Sequence, residues 1–343
     1  MKAARIAPAM FEELREAKEI RMENEVPKFD VVTVTLNPAI DQTVRISNFT
    51  AGAVNRVEQE YSSPGGKGVN VASALADYGH LVAVTGFLGR ENTALFADLF
   101  ARKKIEDRFV RITGRTRVGI KIIDPVLHQT TDINFPGPKS APADLDALHE
   151  QIAALDSTWV AIAGSLPPGV NAEIYRDIAI GLKAVGRKVV LDTSGEALHR
   201  GVKAVPNIIK PNICELEALV DKQLQSEDEV IEAAKKLVDQ GIELVAVSMG
   251  KDGACFVTEV AAVIARPPEI EVKSTVGAGD AMVAGIIAAQ LRKLPLKQCA
   301  RLATAFSLVA LTRIESGLIS AAAVHSLMDQ VSIREARSYE VEF

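Results

Sequence analysis

The chain is short of cysteine, of aromatic side chains and of long apolar runs, and each shortage excludes something. Three cysteines, Cys214, Cys255 and Cys299, lie far apart in 343 residues. They form neither a disulfide framework nor a pair at metal-ligand spacing, so a reducing cytoplasm is the expected compartment. The histidines, His80, His128, His149, His199 and His325, show no metal spacing either and are expected to pack or face solvent. No uncharged run reaches the roughly 18 to 20 apolar residues of a membrane helix. The longest, 157–172, is broken by Gly164, Pro167, Pro168 and Gly169. No signal peptide is expected at the start, because Arg5, Glu12, Glu13, Arg15, Glu16, Lys18 and Glu19 interrupt any apolar core. Neither charge dominates: 39 Lys and Arg face 44 Asp and Glu, for a net charge of -5. That balance argues against a nucleic-acid partner, whose binding needs many neutralised phosphates, and leaves room for a local basic pocket.

What is present points to a large buried core, since 48% of residues are hydrophobic and 24% charged. Residues 1–27 are mixed in charge and end in Pro27; they read as an N-terminal extension with no assigned role. The fold is expected to begin at Asp30–Leu36, which alternates β-branched residues as a strand does. Apolar strand-like runs then recur at 81–87, 159–163, 188–191, 207–209 and 244–248. Helical patterns fill 67–79, 91–104, 171–185, 195–203 and 226–240 between them. This alternation predicts an α/β fold, a parallel sheet covered on both faces by helices, with ligands beyond the carboxyl ends of the strands. Two stretches, about 42–62 and 109–135, alternate Val, Ile, Thr and Arg without helices and predict an antiparallel flap. The Ala-rich segments 277–291 and 296–311 are apolar nearly all round, as buried helices are.

Two glycine turns carry the chemical signal. Pro64-Gly65-Gly66-Lys67-Gly68-Val69-Asn70 feeds a helix whose N-terminus offers free N–H groups to an oxygen-rich ligand. It lacks the spacing of a Walker A loop. The second, Ser274-Thr275-Val276-Gly277-Ala278-Gly279-Asp280, fails as a dinucleotide fingerprint, which disfavours a dehydrogenase. Consecutive amides of Gly277, Ala278 and Gly279 would instead form an anion hole, with Asp280 beside it to accept a proton. Transfer of a phosphoryl group to a hydroxyl requires that pairing.

Together these two motifs, about 200 residues apart, resemble the signatures of the ribokinase-like sugar kinases, the phosphofructokinase B family. The likeness runs from about Val31 to the C-terminus. It implies a three-layer α/β/α core with a small β-sheet lid, a single kinase domain over 28–343, and phosphotransfer from ATP with Mg²⁺. The form Ser274 to Asp280 looks like the phosphosugar branch, as do Leu36-Asn37-Pro38-Ala39-x-Asp41, Gly86 to Asn92 and Gly164-Ser165-Leu166-Pro167-Pro168-Gly169. Gly114-Arg115-Thr116-Arg117 with Lys121, followed by Thr131 to Phe135, favours D-fructose 1-phosphate as acceptor, phosphorylated at its 6-hydroxyl. Tagatose 6-phosphate and fructose 6-phosphate are the rival acceptors. A non-catalytic sugar-phosphate-binding regulator is the rival from another class, and the intact Asp280 disfavours it.

The resemblance implies roles residue by residue. Asp41, Gly65, Gly66, Lys67, Asn70, Arg115, Arg117 and Ser165 would hold the phosphosugar beside Asp280. Lys210, Asn212 and Glu215 would serve the metal and phosphate network, with Glu215 acting on Mg²⁺ through water. Ser248, Met249, Gly250, Lys251, Asp252 and Gly253 would contact the nucleotide along with Gly279. One departure stands out: Gly119 occupies a place where the family pattern carries Asn. Physical reasoning supports a phosphorylated acceptor separately. On a strand, Arg115, Arg117 and Lys121 would project from one face, and three cations there call for an anion. Open edges on the flap strands predict a homodimer.

Overall fold

The computed structural model describes residues 28–313 and 320–338; the expected N-terminal extension, 1–27, lies outside them. Strands β1 (Phe29–Thr35), β2 (Ala39–Arg45) and β3 (Gln59–Gly65) come first, then α1 (Lys67–Asp77) and β4 (Val82–Gly89). Next come α2 (Ala94–Lys103), β5 (Glu106–Asp107), β6 (Val110–Ile112), β7 (Arg117–Asp124), β8 (Gln129–Asn134) and α3 (Pro142–Ala154). The alternation resumes with β9 (Ser157–Ala163), α4 (Ile174–Ala184), β10 (Lys188–Asp192), α5 (Gly195–Val202), β11 (Ile208–Ile209), α6 (Ile213–Val220), α7 (Glu227–Val238) and β12 (Leu244–Ser248). Then follow β13 (Ala254–Val257), β14 (Ala261–Arg266), α8 (Ala278–Leu291), α9 (Leu296–Leu311), α10 (Ala321–Met328) and β15 (Ser332–Ser338).

The main sheet runs β15-β14-β13-β12-β11-β10-β9-β1-β4-β5, with β6 also beside β4. Pairing is parallel from β4 through β12 and antiparallel from β12 to β15. Successive strand residues point to opposite faces, and the core divides accordingly. Val31, Val84, Ala161 and Val190 pack with α1, α2, α8, α9 and α10, whereas Val32, Ala83, Ile162 and Leu191 pack with α3 to α7. Three layers result. The chain leaves β1 toward β4 and later returns on its other side with β9, so the strand order switches there. Ligands in open α/β sheets bind at the carboxyl ends beside such a switch.

A separate four-stranded sheet, β3-β2-β7-β8, stands over that end. It differs in extent from the flap read in the sequence. Residues 110–112 pair with Phe87 to Gly89 of β4 in the main sheet, so the second lid stretch starts at Arg117. The first stretch starts at Ala39, with β2 antiparallel to β3 and parallel to β7. Among the described residues no helix is long and apolar enough to cross a membrane.

Candidate active site

Each glycine turn ends in a helix whose first residues enter the same site. Gly66 caps α1 with φ 107, a left-handed conformation that a Cβ would oppose, and Gly66 itself has no side chain with which to cap the N–H groups there. Gly277 caps α8 in the same manner with φ 74. Ser307 Oγ donates to Ala278 O at 2.7 Å and anchors the turn on α9. The two helices then meet: Asn70 Nδ2 donates to Asp280 Oδ2 at 2.8 Å across 210 residues of sequence.

Asp280 is 7% exposed. Burial, then the neighbouring Asp192, push its carboxyl from 3.8 up to about 6, against the pull of Asn70, Lys67 and Lys210. A carboxylate tuned near the working pH is suited to take and return a proton. Lys67, the first residue of α1, donates to Asp192 Oδ1 at 3.0 Å. Lys210 is 5% exposed, and its Nζ lies 3.3 Å from where a Cβ on Gly279 would stand. A cation is thus fixed against the turn that opens α8.

Asn212 and Glu215 form a reciprocal capping box at α6: Asn212 N donates to Glu215 Oε2 at 2.9 Å, and Glu215 N to Asn212 Oδ1 at 2.8 Å. The spacing read as a phosphate-network motif is therefore also a helix-start device. Ser248 bridges to Asn212 and brings the ends of β12 and α6 together. Gly250–Asp252 make a turn that Arg266 Nη1 ties down by donating to Asp252 O at 2.7 Å, with Met249 buried and Lys251 exposed. Gly253 packs its backbone against Ala265.

Beneath the lid lies a cavity of about 320 Å³ bounded by Asp41, Gly119 and Lys121 on one side and by Asn70 and Gly277 on the other. Asp41 fits there because Gly65 has no Cβ; one would stand 1.9 Å from Oδ2. Burial raises its carboxyl to about 6, against the opposing effect of Arg117 and Lys121. No hydrogen-bond donor among the described residues reaches it, so its acceptor capacity is open to ligand hydroxyls. Gly119 lies between Asp41 and Asn134; a Cβ there would be 3.2 Å from Asp41 Oδ1 and 3.5 Å from Asn134 Oδ1. A side chain at 119, such as the Asn of the family pattern, would require the Asp41 carboxylate to shift by a few tenths of an ångström.

The three cations expected to share one face are separated. Arg117 lines an adjoining cavity with Asn37, Phe135 and Ser165, and among the described residues it donates only to carbonyls, Asn37 O at 3.3 Å and Phe135 O at 3.4 Å. Lys121 is paired with Asp132 at 2.5 Å. Arg115 is exposed and lines neither cavity, because it precedes β7 while Thr116 turns inward to accept from Gly89 N at 2.9 Å. Ser165 is joined to Asn37, whose Nδ2 donates to its Oγ at 3.1 Å. Asp192 was absent from the sequence reading. Its available signal was position, the last residue of a parallel strand running into Thr193-Ser194-Gly195 before a helix.

The pfkB family of carbohydrate kinases matches residues 26–322. A 1-phosphofructokinase from Rhodobacter capsulatus is 52% identical over 287 residues, covering 83% of this chain and 91% of that protein. A possible 1-phosphofructokinase from Thermotoga maritima superposes with a TM-score of 0.81 at 29% identity, covering 90% of this chain and 99% of the other. Phosphofructokinase-2 from Escherichia coli, solved with substrates and products, gives a TM-score of 0.83 at 27% identity over 88% of this chain and 98% of its own.

Proposed function

The chain belongs to the pfkB family of carbohydrate kinases, and from that membership we propose that it transfers a phosphoryl group from ATP to the 6-hydroxyl of D-fructose 1-phosphate, giving fructose 1,6-bisphosphate and ADP. One observation carries the proposal: a buried carboxylate, Asp280, sits in the first turn behind Gly277, while the Arg117 guanidinium across the site, among the described residues, donates only to carbonyls. Asp280 accepts the proton of the attacking hydroxyl, and Asn70 holds the carboxylate in line. The amides of Gly277, Ala278 and Gly279, with Lys210, stabilise negative charge on the moving phosphoryl group. Asp41 receives ring hydroxyls, and Arg117 grips the phosphate already on the sugar, where a guanidinium fits two oxygens at once. The exposed turn Gly250–Asp252 and Ser248 lie at the strand ends where the rest of the nucleotide fits.

The residues present also fit Mg²⁺ brought in with ATP. Glu215 spends Oε2 on the helix cap and keeps its other oxygen, and Mg²⁺ needs only one or two carboxylates beside phosphates and water. When bound, it neutralises charge on the phosphate oxygens. The 52% identical relative from Rhodobacter capsulatus supports the 1-phosphate acceptor. Strand β8 is exposed along its length, with Ile133 and, just beyond the strand, Phe135 open to solvent, which supports a homodimer formed through the lid; a monomeric mass by light scattering would count against it.

A coupled assay of ADP release with fructose 1-phosphate, fructose 6-phosphate and tagatose 6-phosphate tests the reaction. Fructose 1-phosphate should give the highest kcat/KM, because the lid must hold a phosphate at one end while a primary hydroxyl meets Asp280, and a misplacement of about 1 Å costs on the order of 100-fold. An equal or higher value with either rival overturns the assignment.

A further inference from the structure

Asp192 ends strand β10 and is 2% exposed. The proposed reaction gives it no task, although it lies at the centre of the site's charges. Its Oδ1 receives Lys67 Nζ at 3.0 Å and stands 3.5 Å from Lys210 Nζ. The two ammonium groups come from opposite halves of the site, Lys67 from the acceptor-side turn and Lys210 from beneath Gly279. Both also lie within electrostatic reach of Asp280, yet the carboxylate they contact is that of Asp192. Asp280 is left with a neutral partner, the Asn70 amide.

That division has a chemical consequence. A lysine paired with Asp280 would stabilise the carboxylate and weaken it as a base. Asp192 Oδ2, meanwhile, is buried without a hydrogen-bond partner among the described residues. A buried carboxylate with an unused oxygen is a poor stabilising device compared with an apolar side chain, so folding alone does not account for it.

We propose, on the reading that this site transfers a phosphoryl group, that Asp192 is a positioning residue which clamps Lys67 and Lys210 as one cationic pair between acceptor and donor and so keeps both lysines off Asp280. The groups that face Asp280 are Lys67 and Asn70 from α1, Asp192 from β10 and Lys210 following β11. In Asp192→Asn a like charge disappears and two lysines are released, and both changes favour the charged form of Asp280.

Asp192→Asn should lower kcat by about 100-fold, since a reacting group displaced by about 1 Å costs that much. The acid limb of its kcat–pH profile, measured with Asp41 already occupied by the acceptor, should move to lower pH. Asp192→Glu keeps the charge, so its limb should stay at the wild-type position while the displaced lysines cost at least about tenfold in kcat. Carboxyl NMR titration of Asp280 reads the same downward shift in Asp192→Asn without any turnover. A kcat for Asp192→Asn within about threefold of wild type, or an unmoved Asp280 titration, overturns the role. Should that variant fail to fold, an Asp192→Glu enzyme with wild-type kcat or a displaced limb overturns it. Wild-type turnover of fructose 1-phosphate decides the proposed reaction separately, because the NMR titration requires no substrate.

Discussion

Replacing Asp280 by Asn should abolish turnover and at the same time stabilise the fold at neutral pH. The carboxyl is raised by burial, and next by Asp192, from 3.8 to about 6. Each unit corresponds to 1.36 kcal/mol, so holding this group ionised in the native state costs about 3 kcal/mol. The sign follows from proton binding. Between about pH 4 and pH 6 the native protein binds more protons at this position than the unfolded chain, so stability falls as pH rises through that window. Above about pH 6 the whole cost is present, and below about pH 4 none of it is. Asparagine removes the charge without changing the size of the side chain. Urea unfolding at about pH 7.5 should therefore show the variant more stable by up to about 3 kcal/mol, with the difference closing toward about pH 4. Turnover should fall by about 10³- to 10⁴-fold, because general-base assistance and orientation are lost together. The base assignment fails if turnover stays within about tenfold of wild type. The account of its environment fails if the variant is inactive yet less stable at about pH 7.5, for that would mean the charge is a net asset to the fold.

Two further substitutions address the acceptor cavity. Arg117→Ala removes a charge-assisted pair worth roughly 1.5 to 3 kcal/mol, so KM for the phosphosugar should rise about ten- to a hundred-fold with little change for ATP; a raised ATP KM alone would move the residue to the nucleotide side. Gly119→Ala puts a methyl group 3.2 Å from Asp41 Oδ1, so it should raise phosphosugar KM by roughly tenfold through a displaced contact, and an unchanged value would show that Asp41 does not hold the ring.

The layered sheet was legible because its signal is local and repeated. Strands such as Val82–Gly89 are continuously buried, and α7 carries a serine cap, three acids in its first turn and two lysines in its last. The sequence reading also missed the buried antiparallel pair β13 and β14, and two other elements that escaped it were weaker in that signal. The helix α3 carries only two fully buried apolar side chains, and β15, paired by its backbone to β14, carries charged side chains, with Arg334 and Arg337 pairing with Glu227 and Glu232 of α7. Hydrophobic period cannot find an edge strand whose side chains are largely charged. The error at 109–112 has the same character: Val110-Arg111-Ile112 alternates like a lid strand, and only its pairing with β4 assigns it to the main sheet.

The site divides along a similar line. Both glycine turns and Asp280 were legible because positive-φ glycines before a helix leave a mark on the sequence that spacing preserves. The partners of those residues were not, since Asn70 meets Asp280 and Lys67 meets Asp192 across 210 and 125 residues. The cations Arg115, Arg117 and Lys121 show why pattern alone misleads. Alternation puts all three on one face, but the strand begins at Arg117, which excludes Arg115, and the cross-strand neighbour of Lys121 is Asp132, which neutralises it. Register therefore decides which cation is available to an anionic ligand. Among the described residues Arg117 alone of the three combines a cavity position with hydrogen bonds to carbonyls alone, and carbonyls do not neutralise its charge, which only the more distant Asp41 offsets in part. A single guanidinium aided by the Asn37 and Ser165 pair is a sufficient anchor for one phosphate only if the lid closes water away from it, because exposed ion pairs are worth little and desolvated ones much more. On the proposed reading, binding of the acceptor phosphate would therefore depend on lid position, which would in turn set how closely the sugar approaches Asp280.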